Sequence, residues 1–355
     1  MLARLARLRE RMKKEGLDAL LISSLPNIRY LTSFTGSNAL CVVTPRKAHF
    51  LTDSRYELQS ADEVTGCTRH VVQGGLVDAA ADLRLLAGSI SVGFEANTLT
   101  YDEYRKLKRR FTAHSVRGTT NLVEDLAVTK DAGELSRLTA AARISDRVFQ
   151  EIVSMLKPGI AEREIAAEIT YRQRKMGADH DAFDPIVASG PHGALPHAKP
   201  SSKRIRNGEL LILDFGCTVD GYGSDLTRTV CIGYAPRRAR ELYSALLDAQ
   251  KKAVEAARPG MRGRELDAVA RSSISTAGLG RWFTHSLGHG LGLRVHERPR
   301  ISPTSTELLQ QGNVMTIEPG LYIPGFGGIR IEDDIVLTTH GSRTLTNAPK
   351  ELMIV

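Results

Sequence analysis

Asp214, Asp225, His289, Glu318 and Glu332 follow one another in the C-terminal part of the chain. Four carboxylates and one imidazole give a mostly oxygen donor set with a single nitrogen. Such a set suits a pair of hard-to-borderline divalent ions, Mn²⁺, Co²⁺ or Zn²⁺, sharing bridging carboxylates. Asp214 closes the apolar run Leu210-Leu211-Ile212-Leu213, which reads as a buried strand, where an unpaired carboxylate is costly. Asp225 follows the tight turn Asp220-Gly221-Tyr222-Gly223, which could return the chain to the same place. His289 sits in Gly288-His289-Gly290-Leu291-Gly292, where small neighbours let the backbone approach a ligand closely. Glu318 and Glu332 follow Val314-Met315-Thr316-Ile317 and Ile329-Arg330-Ile331, both read as alternating strands. Taken singly, each Asp could be a turn or cap residue and His289 an ordinary loop histidine. His197, His285 and His296 strengthen the catalytic reading. The triplet Asp214-Phe215-Gly216 invites a protein-kinase reading, but no Gly-rich loop, lysine strand or His-Arg-Asp segment precedes it.

An internal duplication surrounds these residues. Lys157-Pro158-Gly159 through Ile165 recurs as Arg258-Pro259-Gly260 through Leu266, and His197-Ala198-Lys199-Pro200 recurs as His296-Glu297-Arg298-Pro299. Gly208 through Asp214-Phe215-Gly216 recurs as Gly312 through Glu318-Pro319-Gly320, in the same order. Two similar α/β halves facing each other would place Asp214 and Glu318 symmetrically, with His197 and His296 beside them. Leu138, Ala141, Ile144, Val148, Ile152 and Met155 recur at helical spacing and predict a long amphipathic helix that packs on the sheet of the first half, ended by Lys157-Pro158-Gly159. The second half supplies a matching helix near 237–257.

Upstream, helix signals near 2–15, 76–87 and 100–110 alternate with strand signals near 18–23, at Val42-Val43-Thr44, at His49-Phe50-Leu51 and at Val92-Gly93-Phe94. That alternation predicts a small sheet with helices on its faces. The boundary is expected in the aperiodic stretch 121–132, giving domains 1–125 and 126–355. A length of 355 residues suits two domains, and 42% hydrophobic with 25% charged residues suits a soluble globular protein. No run is apolar and long enough to span a bilayer, so no membrane partner is expected. The basic start resembles a transit peptide in charge, but the stripe Leu2, Leu5, Leu8, Met12 running into Asp18-Ala19-Leu20-Leu21-Ile22 predicts a folded first helix instead. A net charge of +8 raises nucleic acid as a partner, yet the basic residues are interspersed with acids and carry no nucleic-acid signature, so none is expected. Cys41, Cys67, Cys217 and Cys231 lack a CxxC spacing and suggest reduced thiols in a cytoplasmic protein.

Leu211-Ile-Leu-Asp-Phe-Gly, Gly223-Ser-Asp-Leu-Thr-Arg-Thr, His285-Ser-Leu-Gly-His-Gly-Leu-Gly, Val295-His-Glu, Thr316-Ile-Glu-Pro-Gly and Gly328-Ile-Arg-Ile-Glu-Asp-Asp resemble the pita-bread metallopeptidases. Within them the chain is similar to the Xaa-Pro peptidases, aminopeptidase P and prolidase. Asn27-Ile-Arg-Tyr-Leu-Thr and Thr52-Asp-Ser-Arg-Tyr resemble their creatinase-like N-terminal domain, whose role would be to cover one end of the cleft and mediate oligomerisation. The resemblance implies an α/β (α+β) architecture: a small αβ domain followed by a pseudo-twofold pita-bread catalytic domain. It implies two divalent ions, Mn²⁺ first, held by Asp214, Asp225, His289, Glu318 and Glu332, with a hydroxide bridging them. Glu318 would also act as general base, His285 and His296 would stabilise the tetrahedral intermediate, and His197 would stand on the departing proline side. Arg330 and Tyr322 would orient the site. The substrate implied is a proline-containing peptide, and the oligomer a homodimer or higher.

The expected activity is therefore that of an Xaa-Pro aminopeptidase, which removes an N-terminal residue preceding proline. The nearest alternative is an Xaa-Pro dipeptidase, which needs a group that reads the substrate's free carboxylate; none is assigned from sequence. A metal-free creatinase-like or peptide-binding relative is disfavoured because all five ligands are present. Methionine aminopeptidase shares the catalytic half but generally lacks the first 120 or so residues seen here.

Overall fold

The computed structural model describes residues 2–111 and 115–355, and its contacts separate Met1–Ala127 from Val128–Val355. In the first unit α1 (Leu2–Lys14) buries Leu5, Leu8 and Met12, while Leu2 of the expected stripe is exposed. The strands are β1 (Ala19–Ile22), β2 (Leu40–Val43), β3 (Ala48–Asp53), β4 (Thr68–Val72), β5 (Ser91–Glu95) and β6 (Ser115–Thr119). They form one mixed sheet in the order β4-β3-β2-β1-β5-β6. Helices α2 (Leu25–Thr32), α3 (Glu57–Glu63), α4 (Leu76–Asp82), α5 (Tyr101–Arg110) and α6 (Glu124–Ala127) complete the unit. The helix expected over 76–87 stops at Asp82, because Arg84 takes a positive φ of 52° and Gly88 one of 80°. β4 and β6 carry no apolar period in sequence because they are the two sheet edges and are largely exposed.

The second unit opens with α7 (Ala132–Met155), started by a reciprocal Asp131–Glu134 capping box, and α8 (Glu162–Lys175). There follow β7 (His180–Asp181), β8 (Ile186–Ser189), β9 (Leu210–Phe215), β10 (Cys217–Val219), β11 (Tyr222–Gly223) and β12 (Leu226–Cys231). β8, β9 and β12 pair antiparallel, and α7 and α8 bury Val148, Phe149, Ile152, Ile165 and Ile169 with Leu211, Leu213 and Phe215 of that sheet. The helix face foreseen from spacing is the one that packs. Asp220 (φ 46°) and Gly221 (φ 75°) form the two-residue loop between β10 and β11, the positive-φ pair that a tight hairpin requires.

The second half repeats the plan with α9 (Arg237–Ala256), α10 (Gly263–Thr276), β13 (Gly288–Gly290), β14 (Glu297–Ile301), β15 (Val314–Ile317), β16 (Gly320–Ile323), β17 (Gly327–Arg330), β18 (Asp333–Leu337) and β19 (Ser342–Thr344). The duplication extends to individual backbone bonds. Gly159 N–H donates to Ile205 O and Glu162 N–H to Lys203 O; Gly260 N–H donates to Leu309 O and Gly263 N–H to Glu307 O. β15 and β17 do not alternate between core and solvent as expected. All their residues are buried: α9 and α10 cover one side, β17 has β9 and β12 against its other side, and Val314 of β15 packs with Leu138 and Ala142 of α7.

Candidate functional site

Backbone pairing of two neighbouring segments brings two of the acids together. Asp225 lies between β11 and β12, and Glu332 between β17 and β18, where its N–H donates to Thr227 O. His289 enters from the middle of β13, and Asp225, His289 and Glu332 each present a ligand atom within 4.8 Å of the others. Nε2 of His289 is 3.7 Å from Asp225 Oδ2 and 3.4 Å from Glu318 Oε1. Gly288 and Gly290 serve strand packing rather than ligand approach: a Cβ there would collide with the carbonyls of Thr316 and Arg298. Asp214, on β9, pairs through Oδ2 with the guanidinium of Arg330.

Arg330 is buried and connects the surrounding groups. Its Nη1 donates to Tyr322 Oη at 2.6 Å and Pro196 O at 3.2 Å, and its Nε donates to Thr227 Oγ1 at 3.1 Å. Thr227 in turn donates to Glu332 Oε2 at 2.5 Å. Tyr322 Oη lies 3.0 Å from His285 Nε2, and His285 Nδ1 lies 2.8 Å from Ser286 O. Only a donor satisfies that carbonyl, so Nδ1 carries the proton and Nε2 accepts from Tyr322. His296 stacks near His289, with ring centroids 4.3 Å apart, and is exposed; His197 is exposed in the loop after Leu195.

The electrostatics of the cluster are those of anions short of a cation. Burial, then Glu332 and Asp214, push the Asp225 carboxyl well above its ordinary value, and burial, then Glu318 and Asp214, do the same to Glu332. Glu318 is pushed up to about 8, first by burial. His289 and His285 are pushed down to about 4, each first by burial, so both rings are neutral and keep a lone pair. Oδ1 of Asp214 and Oδ1 of Asp225 are buried without a hydrogen-bond partner among the described residues. Buried, mutually repelling carboxylates with open oxygens, next to a neutral imidazole, fit divalent metal.

Thr227, Thr316 and Asp334 escaped the sequence reading. Thr227 and Thr316 stand two residues from Asp225 and Glu318, and strand alternation puts each on the same face as its acid. Thr316 accepts from His289 N–H at 3.1 Å and donates to Glu318 at 3.2 Å. Asp334 accepts from the N–H of Asp225 at 3.0 Å. Arg228, also unforeseen and 1% exposed, donates to the carbonyls of Thr227 and Glu332 and to Asp333.

Residues 136–339 match the profile described as metallopeptidase family M24, and residues 4–126 that of the creatinase/prolidase N-terminal domain. The chain is 43% identical to the uncharacterized peptidase YqhT of Bacillus subtilis (strain 168), over 99% of this chain and 100% of that one. Among solved structures it superposes on an Xaa-Pro dipeptidase from Bacillus anthracis with a TM-score of 0.97 at 39% identity, covering 100% of this chain and 99% of that one. It also superposes on an X-Pro aminopeptidase from Thermotoga maritima MSB8 with a TM-score of 0.90 at 37% identity, covering 98% and 100%.

Proposed function

The chain belongs to metallopeptidase family M24, with a creatinase/prolidase N-terminal domain, and from that premise we propose that it is an Xaa-Pro dipeptidase. The observation that carries the dipeptide preference is Arg300. It is exposed, lies opposite His289 in the β13–β14 register, and its charge helps depress both His289 and His296. No acidic partner holds it among the described residues. A free guanidinium at the rim suits the C-terminal carboxylate that a dipeptide presents immediately after its scissile bond.

Asp214, Asp225, His289, Glu318 and Glu332 would hold two divalent ions, Mn²⁺ first. When bound, these ions would polarise the scissile carbonyl and lower the pKa of water. Glu318 accepts the proton released as water attacks and passes it to the proline nitrogen. His296 would donate to the oxygen on which charge develops and His197 would contact the departing proline, whereas His285, with its Nδ1–H given to Ser286 O and its Nε2 accepting from Tyr322, would contact the substrate without donating to that oxygen. Arg330 and Tyr322 fix His285 and Asp214. Residues 1–125 would form the creatinase-like domain and 126–355 the catalytic domain, in a cytoplasmic homodimer. All four cysteines are unpaired, and no described helix is long and apolar enough to cross a membrane.

The aminopeptidase reading favoured by sequence alone is the second one, supported by the likeness to the Thermotoga enzyme. Arg300→Met decides between them. The dipeptidase reading expects kcat/KM on an Xaa-Pro dipeptide to fall roughly 10- to 100-fold, the worth of one charge-assisted hydrogen bond, with Xaa-Pro-Yaa turnover little changed. Wild-type enzyme that prefers the tripeptide and is indifferent to Arg300→Met establishes the aminopeptidase.

A further inference from the structure

Glu162, the first residue of α8, is fully buried yet stands apart from the acid cluster. Its Oε1 accepts from the backbone N–H of Ser189 at 2.8 Å and its hydroxyl at 2.9 Å. Its Oε2 accepts from His192 Nδ1 at 2.8 Å, and from the N–H and hydroxyl of Ser201 at 3.2 and 2.7 Å. Ser189 ends β8, and Ser201 follows His197-Ala198-Lys199-Pro200. One carboxylate thus binds both ends of the segment that carries His197. Burial would raise its pKa, but the donors outweigh burial and hold it below its ordinary value, so it is an anion with five donors. Lys203 closes the base of the segment, donating to Ser189 Oγ and Glu209 Oε2 at 2.7 Å each.

The duplication shows why a side chain is needed here. Glu162 corresponds to Gly263, and the next residues match as well: Arg163 N–H donates to Ser201 O and Arg264 N–H to Ser305 O, both at 3.0 Å. In the second half a Cβ at position 263 would collide with Arg300 O, so the segment after His296 rests directly on the start of α10. That segment is also strand β14, held by β13. The segment around His197 belongs to no strand: a 3-10 turn, Gly190–Ala194, leads into irregular chain. Without ladder bonds its course is set by Arg330 at Pro196 O, by the Arg163 N–H at Ser201 O, and at both ends by the donors that converge on Glu162.

We propose that Glu162 is a positioning residue that sets His197 against the substrate through the 189–201 segment. This rests on the assignment of His197 to the substrate. The test is a double-mutant cycle of Glu162→Gln and His197→Ala, with kcat and KM on an Xaa-Pro dipeptide, bound metal and Tm measured for each form. The carboxamide keeps the shape of Glu162 but turns an NH₂ group against converging donors. Expected is a fall in kcat/KM of up to roughly 100-fold for Glu162→Gln with metal content unchanged, and no further fall when it is added to His197→Ala. An equal fall in both backgrounds, loss of metal, or undiminished activity overturns the proposal. If His197→Ala alone leaves activity intact, the assignment of His197 fails, and this proposal with it, in a result distinct from the other three. Ser201→Ala, which leaves the anion and four of its donors, runs through the same cycle should Glu162→Gln not fold.

Discussion

The hydroxyl of Thr227 donates to Oε2 of Glu332 at 2.5 Å while accepting from Nε of Arg330 at 3.1 Å. One rotor therefore orients a proposed metal ligand and is itself fixed by the guanidinium that holds Asp214. Thr227→Val keeps the β-branched shape and removes both bonds. The expected outcome is a loss of metal affinity on the order of 10- to 100-fold with near-native folding. Metal titration followed by calorimetry checks it; unaltered affinity would mean that Glu332 is oriented by the backbone alone.

Burial first, and then the neighbouring carboxylates Asp214 and Glu318, raise the pKa of both Asp225 and Glu332, and Glu332 raises that of Asp225 further, so their ionised forms are a cost to the metal-free protein. Asp225→Asn and Glu332→Gln should abolish turnover. They should also stabilise the chelated protein by about 1–2 kcal/mol, the common result of relieving a strained functional site. Activity assays beside thermal melts in chelator test both halves of the expectation. Retained activity with normal metal content would remove these residues from the ligand set.

Glu318 sets a pH dependence. Its folded pKa of about 8 lies above the ordinary 4.5. Between those values the native protein keeps a proton that the unfolded chain has released, so the unfolded state binds fewer protons and stability falls as pH rises. The metal-free protein should therefore lose Tm between pH 5 and pH 8. Bound metal replaces the proton, so the gain in Tm on adding metal should be larger at pH 8 than at pH 5. A gain independent of pH would contradict the coupling.

Arg330, Tyr322, His285 and Ser286 O form a chain of directed bonds that fixes the tautomer of His285. Tyr322→Phe should lower kcat by about 10-fold with KM and metal content little changed, the scale on which outer partners act. Gly320→Ala should do worse, since its Cβ would stand 2.5 Å from Tyr322 Oη and 2.9 Å from His285 Nε2. Stopped assays with metal analysis separate these effects from loss of metal.

The parts of this molecule that could be read from sequence are those written in apolar periodicity or repeated. The core face of α7, the buried run of β9 and the two-residue turn at Asp220-Gly221 follow from local rules. The duplication pairs Asp214, near the end of β9, with Glu318, the residue just past the end of β15. Edge strands β4 and β6 were hidden because exposed strands need no apolar face. Thr227, Arg228 and Glu162 were hidden for another reason. Each acts through hydrogen bonds to residues tens of positions away, such as Thr227 to Glu332 and Glu162 to Ser189 and Ser201, and no local pattern encodes such a pairing.

The most direct measurement is hydrolysis of an Xaa-Pro dipeptide by protein stripped of metal and then titrated with Mn²⁺, with bound metal counted in parallel. The expected result is no cleavage in chelator and full activity restored as two ions per chain are bound. Cleavage that persists in chelator, or a fully loaded protein that leaves the peptide intact, would contradict it.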